Sequence, residues 1–140
     1  SLELRSEEME VINLRIQKKY KEIEEREVRF EEYLLDDAEY AIVAFGSAAR
    51  IAKKSIEIAR SQGIKVGLLR PITLWPFPTK EVQKLAGKVK GILSLEINAG
   101  QMVEDIRLAV EGKVPVQHFG RLGGIIPDPD EVVDAIKRLF

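Results

Sequence analysis

Tyr40–Phe45, Tyr-Ala-Ile-Val-Ala-Phe, is an unbroken apolar run of strand length. Side chains alternate between the two faces of a strand, so a run with no polar member has to be covered on both. A sheet with helices packed on each face meets that demand. Ile64–Leu69 follows a turn at Gln62–Gly63 and repeats the pattern, and Gly91–Ile97 and Val114–Phe119 supply two further strands. Helical stripes separate them. Ala48, Ile51, Ala52, Ser55, Ile56 and Ala59 form the first, and Lys80–Ala86 a short second helix. Met102, Ile106 and Ala109 or Val110 mark a third; Val132, Val133, Ile136, Leu139 and Phe140 mark the last. Val28–Leu35 mixes Val28, Phe30 and Tyr33 with charge, as an outer strand does. The hairpin-like step at Asp36–Asp37 predicts that this strand is antiparallel. The fold class is therefore α/β: three layers, α/β/α, around an about five-stranded, mostly parallel sheet with one antiparallel strand and right-handed crossovers.

Residues 1 to about 26 read as a long amphipathic helix. Met9, Ile12, Ile16, Tyr20 and Ile23 recur on one face, with Val11 and Leu14 on the other. A helix with two apolar patches has two neighbours to satisfy. It is either a solvated packing helix or one that joins a preceding domain or pairs with another subunit, another copy of this chain included. The expected division is residues 1–27 as N-terminal helix and connector and 28–140 as the domain.

The 140 residues suit one domain with its own core. A net charge of −1 gives no electrostatic case for nucleic acid or an anionic membrane. No apolar run approaches the roughly 20 residues that span a bilayer. No signal-peptide pattern follows Ser1, and the expected location is cytoplasmic. Ser1 is not a start methionine, so a piece of a longer chain is expected. The absence of cysteine excludes disulfides, a thiol nucleophile and cysteine ligation of an iron–sulfur cluster by this chain.

Pro71, Pro76 and Pro78 fall within eight residues. Pro71 has no N–H for a sheet ladder, so the chain leaves the sheet at Arg70–Pro71. The residue before a proline is pushed out of the helical region, so no helix starts before Thr79, the expected N-cap. Trp75, the only tryptophan, and Phe77 ride on this stiff loop beyond a strand's C-terminal end. They are either a lid over the domain's core or an anchor for a partner. Ser47 after Gly46 is the expected cap of the first domain helix. Asp128-Pro129-Asp130-Glu131 opens the last, with Asp as N-cap, Pro at N1 and Glu at N3.

Four loops leave the C-terminal ends of the inner strands, the edge where open α/β sheets meet ligands: Gly46–Ser47, Arg70–Pro78, Glu96–Gln101 and Gly120–Gly124. Gly46–Ser47 could hold an anion at a helix N-terminus, but it lacks the glycine spacing of a nucleotide motif, and a tight turn is favoured. His118, the only histidine, has no second histidine or cysteine for a metal site and reads as a half-buried structural residue. Glu96 could act as a general base; beside it, Asn98, Gly100 and Gln101 equally form a polar strand-to-helix corner. Arg70 suits either an anion or an acidic partner across an interface.

Gly-Ile-Lys-Val-Gly-Leu-Leu-Arg-Pro-Ile-Thr-Leu-Trp-Pro-Phe-Pro, then a strand ending Leu-Glu-Ile-Asn and followed by Gly-Gln, resembles the C-terminal domain of the alpha subunit of 2-oxoacid:ferredoxin oxidoreductases. That domain has the transketolase C-terminal fold. The resemblance covers roughly Val28–Phe140, and its proline segment leans towards the 2-oxoglutarate type. It implies a complex that turns a 2-oxoacid and coenzyme A into acyl-coenzyme A, carbon dioxide and reduced ferredoxin. Thiamine diphosphate, Mg²⁺ and iron–sulfur clusters serve that chemistry, all outside the matched region, so no catalytic, cofactor or metal residue is expected here. Arg70, Trp75, Phe77, Glu96, Asn98, Gly100 and Gln101 become candidate interface residues. They would face the preceding domain of the alpha subunit and the beta subunit. The alternatives are a free-standing module that binds a small ligand and the matching domain of a transketolase-like or oxoacid dehydrogenase enzyme.

Overall fold

The computed structural model describes residues 2–97, 100–120 and 125–139, with side chains from residue 5 onward. The chain runs α1 (Leu2–Glu27), β1 (Phe30–Tyr33), β2 (Tyr40–Ala44), α2 (Ser47–Ser61), β3 (Val66–Pro71), α3 (Thr79–Ala86), β4 (Gly91–Glu96), α4 (Met102–Val110), β5 (Val116–Gly120) and α5 (Pro129–Lys137). The sheet order is β1-β3-β2-β4-β5. β2 pairs parallel with β3 and β4, and β4 parallel with β5.

Burial explains the layers. Tyr40, Ile42 and Ala44 of β2 face α2 and α5 in one core, where Leu68, Leu93 and Leu95 join them. Ala41 and Val43 face α3 and α4 in the other, with Leu69 and Ile92. The unbroken apolar run is thus divided residue by residue between two cores, as strand alternation demands. The small residues Ala48, Ala49, Ala52 and Ala59 are buried and bring α2 close to the sheet.

β1 is antiparallel, as expected, but its partner is β3 and not the following β2. The turn at Asp36–Asp37 therefore does not make a hairpin. Leu34, at φ 53°, turns the chain instead. Arg60 fixes it there, donating to Leu34 O at 2.8 Å and to both oxygens of Asp37 at 2.7 and 3.1 Å. Gly67 of β3 passes beneath: a Cβ there would lie 2.5 Å from Leu34 O.

Two cap expectations fail. Gly46, with φ 59°, takes the N-cap position of α2, so Ser47 becomes the first helical residue. Pro78 takes the corresponding position of α3, and Thr79 caps nothing. The last helix starts as expected: the side chain of Asp128 accepts from Asp130 N at 2.9 Å, with Pro129 following it. Phe140 and the Gly123–Gly124 part of the preceding turn lie outside the described residues.

Candidate functional site

Two places at the strand ends gather the predicted site residues. The first is the end of β4. Ile92, Ser94 and Glu96 share the sheet face that α4 covers, so Glu96 stands where the alternation would put an apolar residue. It is 1% exposed. Its Oε1 accepts from Met102 N at 2.7 Å, and its Oε2 from Val103 N at 3.3 Å and Ser94 Oγ at 3.4 Å. These are the first amides of α4, whose N-terminus has no side-chain cap of its own. Glu96 does that work from the sheet, where the positive end of the helix dipole favours a carboxyl oxygen.

His118 lies opposite Ser94 on β5, with Nδ1 3.4 Å from Glu96 Oε2. Gly100, at φ 98°, folds against its ring: a Cβ there would come within 3.2 Å of it. Glu96, Gly100 and His118 thus gather at this strand end, and His118 is half-buried as expected. Gln101 is exposed beside it. Asn98 lies outside the described residues.

The second place is the proline loop. It starts from β3, whose Arg70 donates to Glu31 Oε2 at 3.2 Å. Lys53 Nζ reaches the other oxygen of Glu31 at 2.6 Å. The Lys53 hydrogen bond foremost, then the charges of Lys53 and Arg70, hold the Glu31 carboxyl below its ordinary range. Arg70 thus has an acidic neighbour on the adjoining strand of its own domain.

Trp75 and Phe77 separate. Phe77 is half-buried and packs on the α3/α4 core, so it belongs to the domain. Trp75 is 59% exposed and stands outside both cores. Its ring meets that of Tyr20 of α1 edge to face, with centroids 5.9 Å apart. The Trp75–Pro76 peptide bond is cis.

Residues the sequence did not single out hold the loop in place. Arg29, between α1 and β1, accepts at its carbonyl from Ile72 N and Thr73 N at 2.9 and 3.2 Å. Its own N–H donates to Thr73 Oγ1 at 3.1 Å, and Thr73 Oγ1 donates to Pro76 O at 2.9 Å. The Arg29 guanidinium closes the end of α1 by donating to Arg26 O and Val28 O. A threonine inside a proline-rich turn was the one available signal, since its hydroxyl can bond nearby backbone. Between α1 and the loop lies a cleft of about 590 Å³, lined by apolar Val28, Phe30 and Trp75 and rimmed by Lys21, Glu24 and Glu25.

Comparison with known proteins agrees with this architecture. Residues 38–132 match the family described as pyruvate:ferredoxin oxidoreductase core domain II. The ketoisovalerate oxidoreductase subunit VorB of Methanothermobacter thermautotrophicus is 45% identical over 99% of this chain, and the match covers 39% of that subunit. Among solved structures, the 2-oxoglutarate:ferredoxin oxidoreductase of Magnetococcus marinus superposes with a TM-score of 0.68 at 23% identity, over 79% of this chain and 19% of that one. A split-gene transketolase superposes with a TM-score of 0.67 at 16% identity, over 78% of this chain and 41% of that one. Those two likenesses establish the transketolase-like fold, while the family match rests on the sequence. The chain spans about two fifths of the curated relative's length and belongs to the pyruvate:ferredoxin oxidoreductase core domain II family.

Proposed function

We propose that this chain is an assembly domain of a 2-oxoacid:ferredoxin oxidoreductase, with a branched-chain 2-oxoacid such as 2-ketoisovalerate as substrate of the full complex. One observation carries the reading: 45% identity, over nearly the whole chain, to a subunit named for ketoisovalerate. It outweighs the lean towards 2-oxoglutarate taken from the proline segment alone. In that complex a 2-oxoacid is oxidatively decarboxylated onto coenzyme A and the electrons pass to ferredoxin.

The chain's own donors do not fit the group's metal cofactors. An iron–sulfur cluster calls for thiolates, and the sequence has no cysteine. Among the described residues, no three His, Asp or Glu side chains gather as a metal site. Glu96, the one buried carboxyl group at the strand ends, is engaged by the amides of α4. In this reading thiamine diphosphate, Mg²⁺ and the clusters are held by other parts of the complex.

In this reading residues 1–27 connect to a neighbouring domain, and the proline loop meets another part of the assembly through Trp75. Arg70, tied to Glu31, stiffens the base of that loop. The test is substrate preference in the assembled enzyme. It should reduce a viologen dye with coenzyme A and 2-ketoisovalerate at a kcat/KM well above that for 2-oxoglutarate. The reverse preference would restore the 2-oxoglutarate reading. Turnover by this chain alone would overturn the assembly role.

A further inference from the structure

The sheet ends in β1 on one side and β5 on the other, and only β1 is guarded. A strand edge offers unpaired N–H and C=O groups to any extended chain, and charged side chains are a common defence. β1 reads Phe-Glu-Glu-Tyr, with Glu31 tied to Lys53 and Arg70. β5 reads Val-Gln-His-Phe-Gly and holds no Asp, Glu, Lys or Arg. Register fixes which of its groups are free. Ile92 lies opposite Val116, and its N–H donates to Pro115 O at 2.9 Å. In a parallel ladder a residue that bonds across does so to the two neighbours of its opposite number, so Gln117 and Phe119 turn their backbone groups towards β4. Val116, His118 and Gly120 turn theirs outward, and among the described residues no strand lies beyond them. Both cores are open at this edge as well. Every residue of β2 and β4 is buried, whereas β5 is half-buried apart from an exposed Gln117. Val116 packs on the α3/α4 core and Phe119 on the α2/α5 core, each only partly covered.

We propose that β5 is a strand-addition site for another polypeptide of the assembly, an extended, uncharged segment with apolar side chains on both faces. The inference rests on the assembly role proposed above. Main-chain hydrogen bonds to Val116, His118 and Gly120 hold the segment, and its side chains complete the cover of Val116 on one face and Phe119 on the other. A second copy of this chain does not answer that description. Its β1 edge brings Glu31 and Glu32, and its β5 edge brings Gln117 on one face and His118 on the other.

Amide exchange on the full 140-residue chain, alone and in the assembled complex, tests the site. Val116, His118 and Gly120 should exchange readily in the lone chain and at least about tenfold more slowly in the complex, where their N–H groups gain acceptors. Gln117 and Phe119, bonded to β4 in both, are the internal control. Val116→Pro deletes one outward N–H and spares the β4 ladder, as a proline on an edge strand can. Gln117→Lys sets a guarding charge at an exposed position of the same edge. Each should weaken assembly by roughly tenfold at a melting temperature close to that of the wild type. Where Val116→Pro fails to fold, Gln117→Lys decides. Edge amides that exchange equally fast in an intact complex, or assembly indifferent to Gln117→Lys, would overturn this inference and leave the assembly role standing. A chain that enters no complex would overturn both. Protection that rises with concentration in the lone chain would hand the edge to a second copy and overturn the choice of partner.

Discussion

Glu96 decides between a chemical and a structural strand end, so its replacement is the most informative perturbation. The carboxyl group is 1% exposed and satisfies two buried amides, Met102 N at 2.7 Å and Val103 N at 3.3 Å. Glu96→Ala would leave both donors without an acceptor. A buried orphaned donor costs about 1–3 kcal/mol, and the vacated volume adds a cavity term. The sum is about 3 kcal/mol or more, a fall in melting temperature on the order of 10 °C for a domain of this size. Glu96→Gln keeps an acceptor for Met102 but turns an amide NH₂ towards Val103 N. It should lose about 1–2 kcal/mol, between the wild type and Glu96→Ala. The assay is thermal and urea unfolding of all three proteins, followed by the pH–rate profile of the assembled enzyme. The profile should keep its shape in Glu96→Gln once the folded fraction is equalised. An unchanged melting temperature with a collapsed kcat would refute the reasoning and make Glu96 a catalytic residue.

Gly67→Ala should destabilise the domain by about 3 kcal/mol, the upper range for overpacking, because its Cβ would meet backbone at Leu34 O; unfolding midpoints check this. Glu31 has a folded pKa below its ordinary 4.5, so its ion pairs stabilise the fold above that pH and fade as pH falls through the lowered value. Glu31→Gln should therefore flatten the acid side of the melting-temperature profile below about pH 4.5, and an unaltered acid slope would contradict the pairing. Trp75→Ala should leave the domain's melting temperature nearly unchanged, since the ring lies outside both cores. It should weaken assembly of the complete complex by ~2 kcal/mol or more, measured by titration of the purified parts.

What was legible in the sequence was whatever a residue's own neighbours decide. Tyr40–Phe45 announced a doubly covered strand because alternation leaves no other use for six apolar residues in a row. Asp128-Pro129 announced a helix start because the cap bond spans two residues. The failures share a different cause. β1 looked like half of a hairpin, but its pairing with β3 depends on Leu34 turning the chain and on Gly67 leaving room for it, residues more than thirty positions apart. Arg70 read as open to an anion or an acidic partner, and its contact with Glu31 was not legible because Glu31 sits 39 residues earlier. Trp75 and Phe77 looked like one aromatic pair, yet the turns of the loop send one into the core and the other out. Glu96 could be a base or part of a polar corner, and its capping of α4 shows only once α4 is in place.

The clamp at Arg29 joins α1 to the proline loop. Arg29 ties its carbonyl and N–H to Ile72 and Thr73, and its guanidinium to the end of α1. Thr73 hands the tie on to Pro76, next to Trp75. A force on α1 therefore reaches the proline loop through a short run of hydrogen bonds as well as through the Tyr20–Trp75 contact. In the proposed assembly role, helix and loop then act as one docking element. The two routes can be separated, because Tyr20→Ala removes only the ring contact and Thr73→Val only the hydroxyl bonds. If the element is rigid through the clamp, Thr73→Val loosens both surfaces together and Tyr20→Ala leaves the loop in place. Amide exchange at Ile72 and Thr73 reads the difference directly, since both N–H groups are held by Arg29 and neither touches Tyr20.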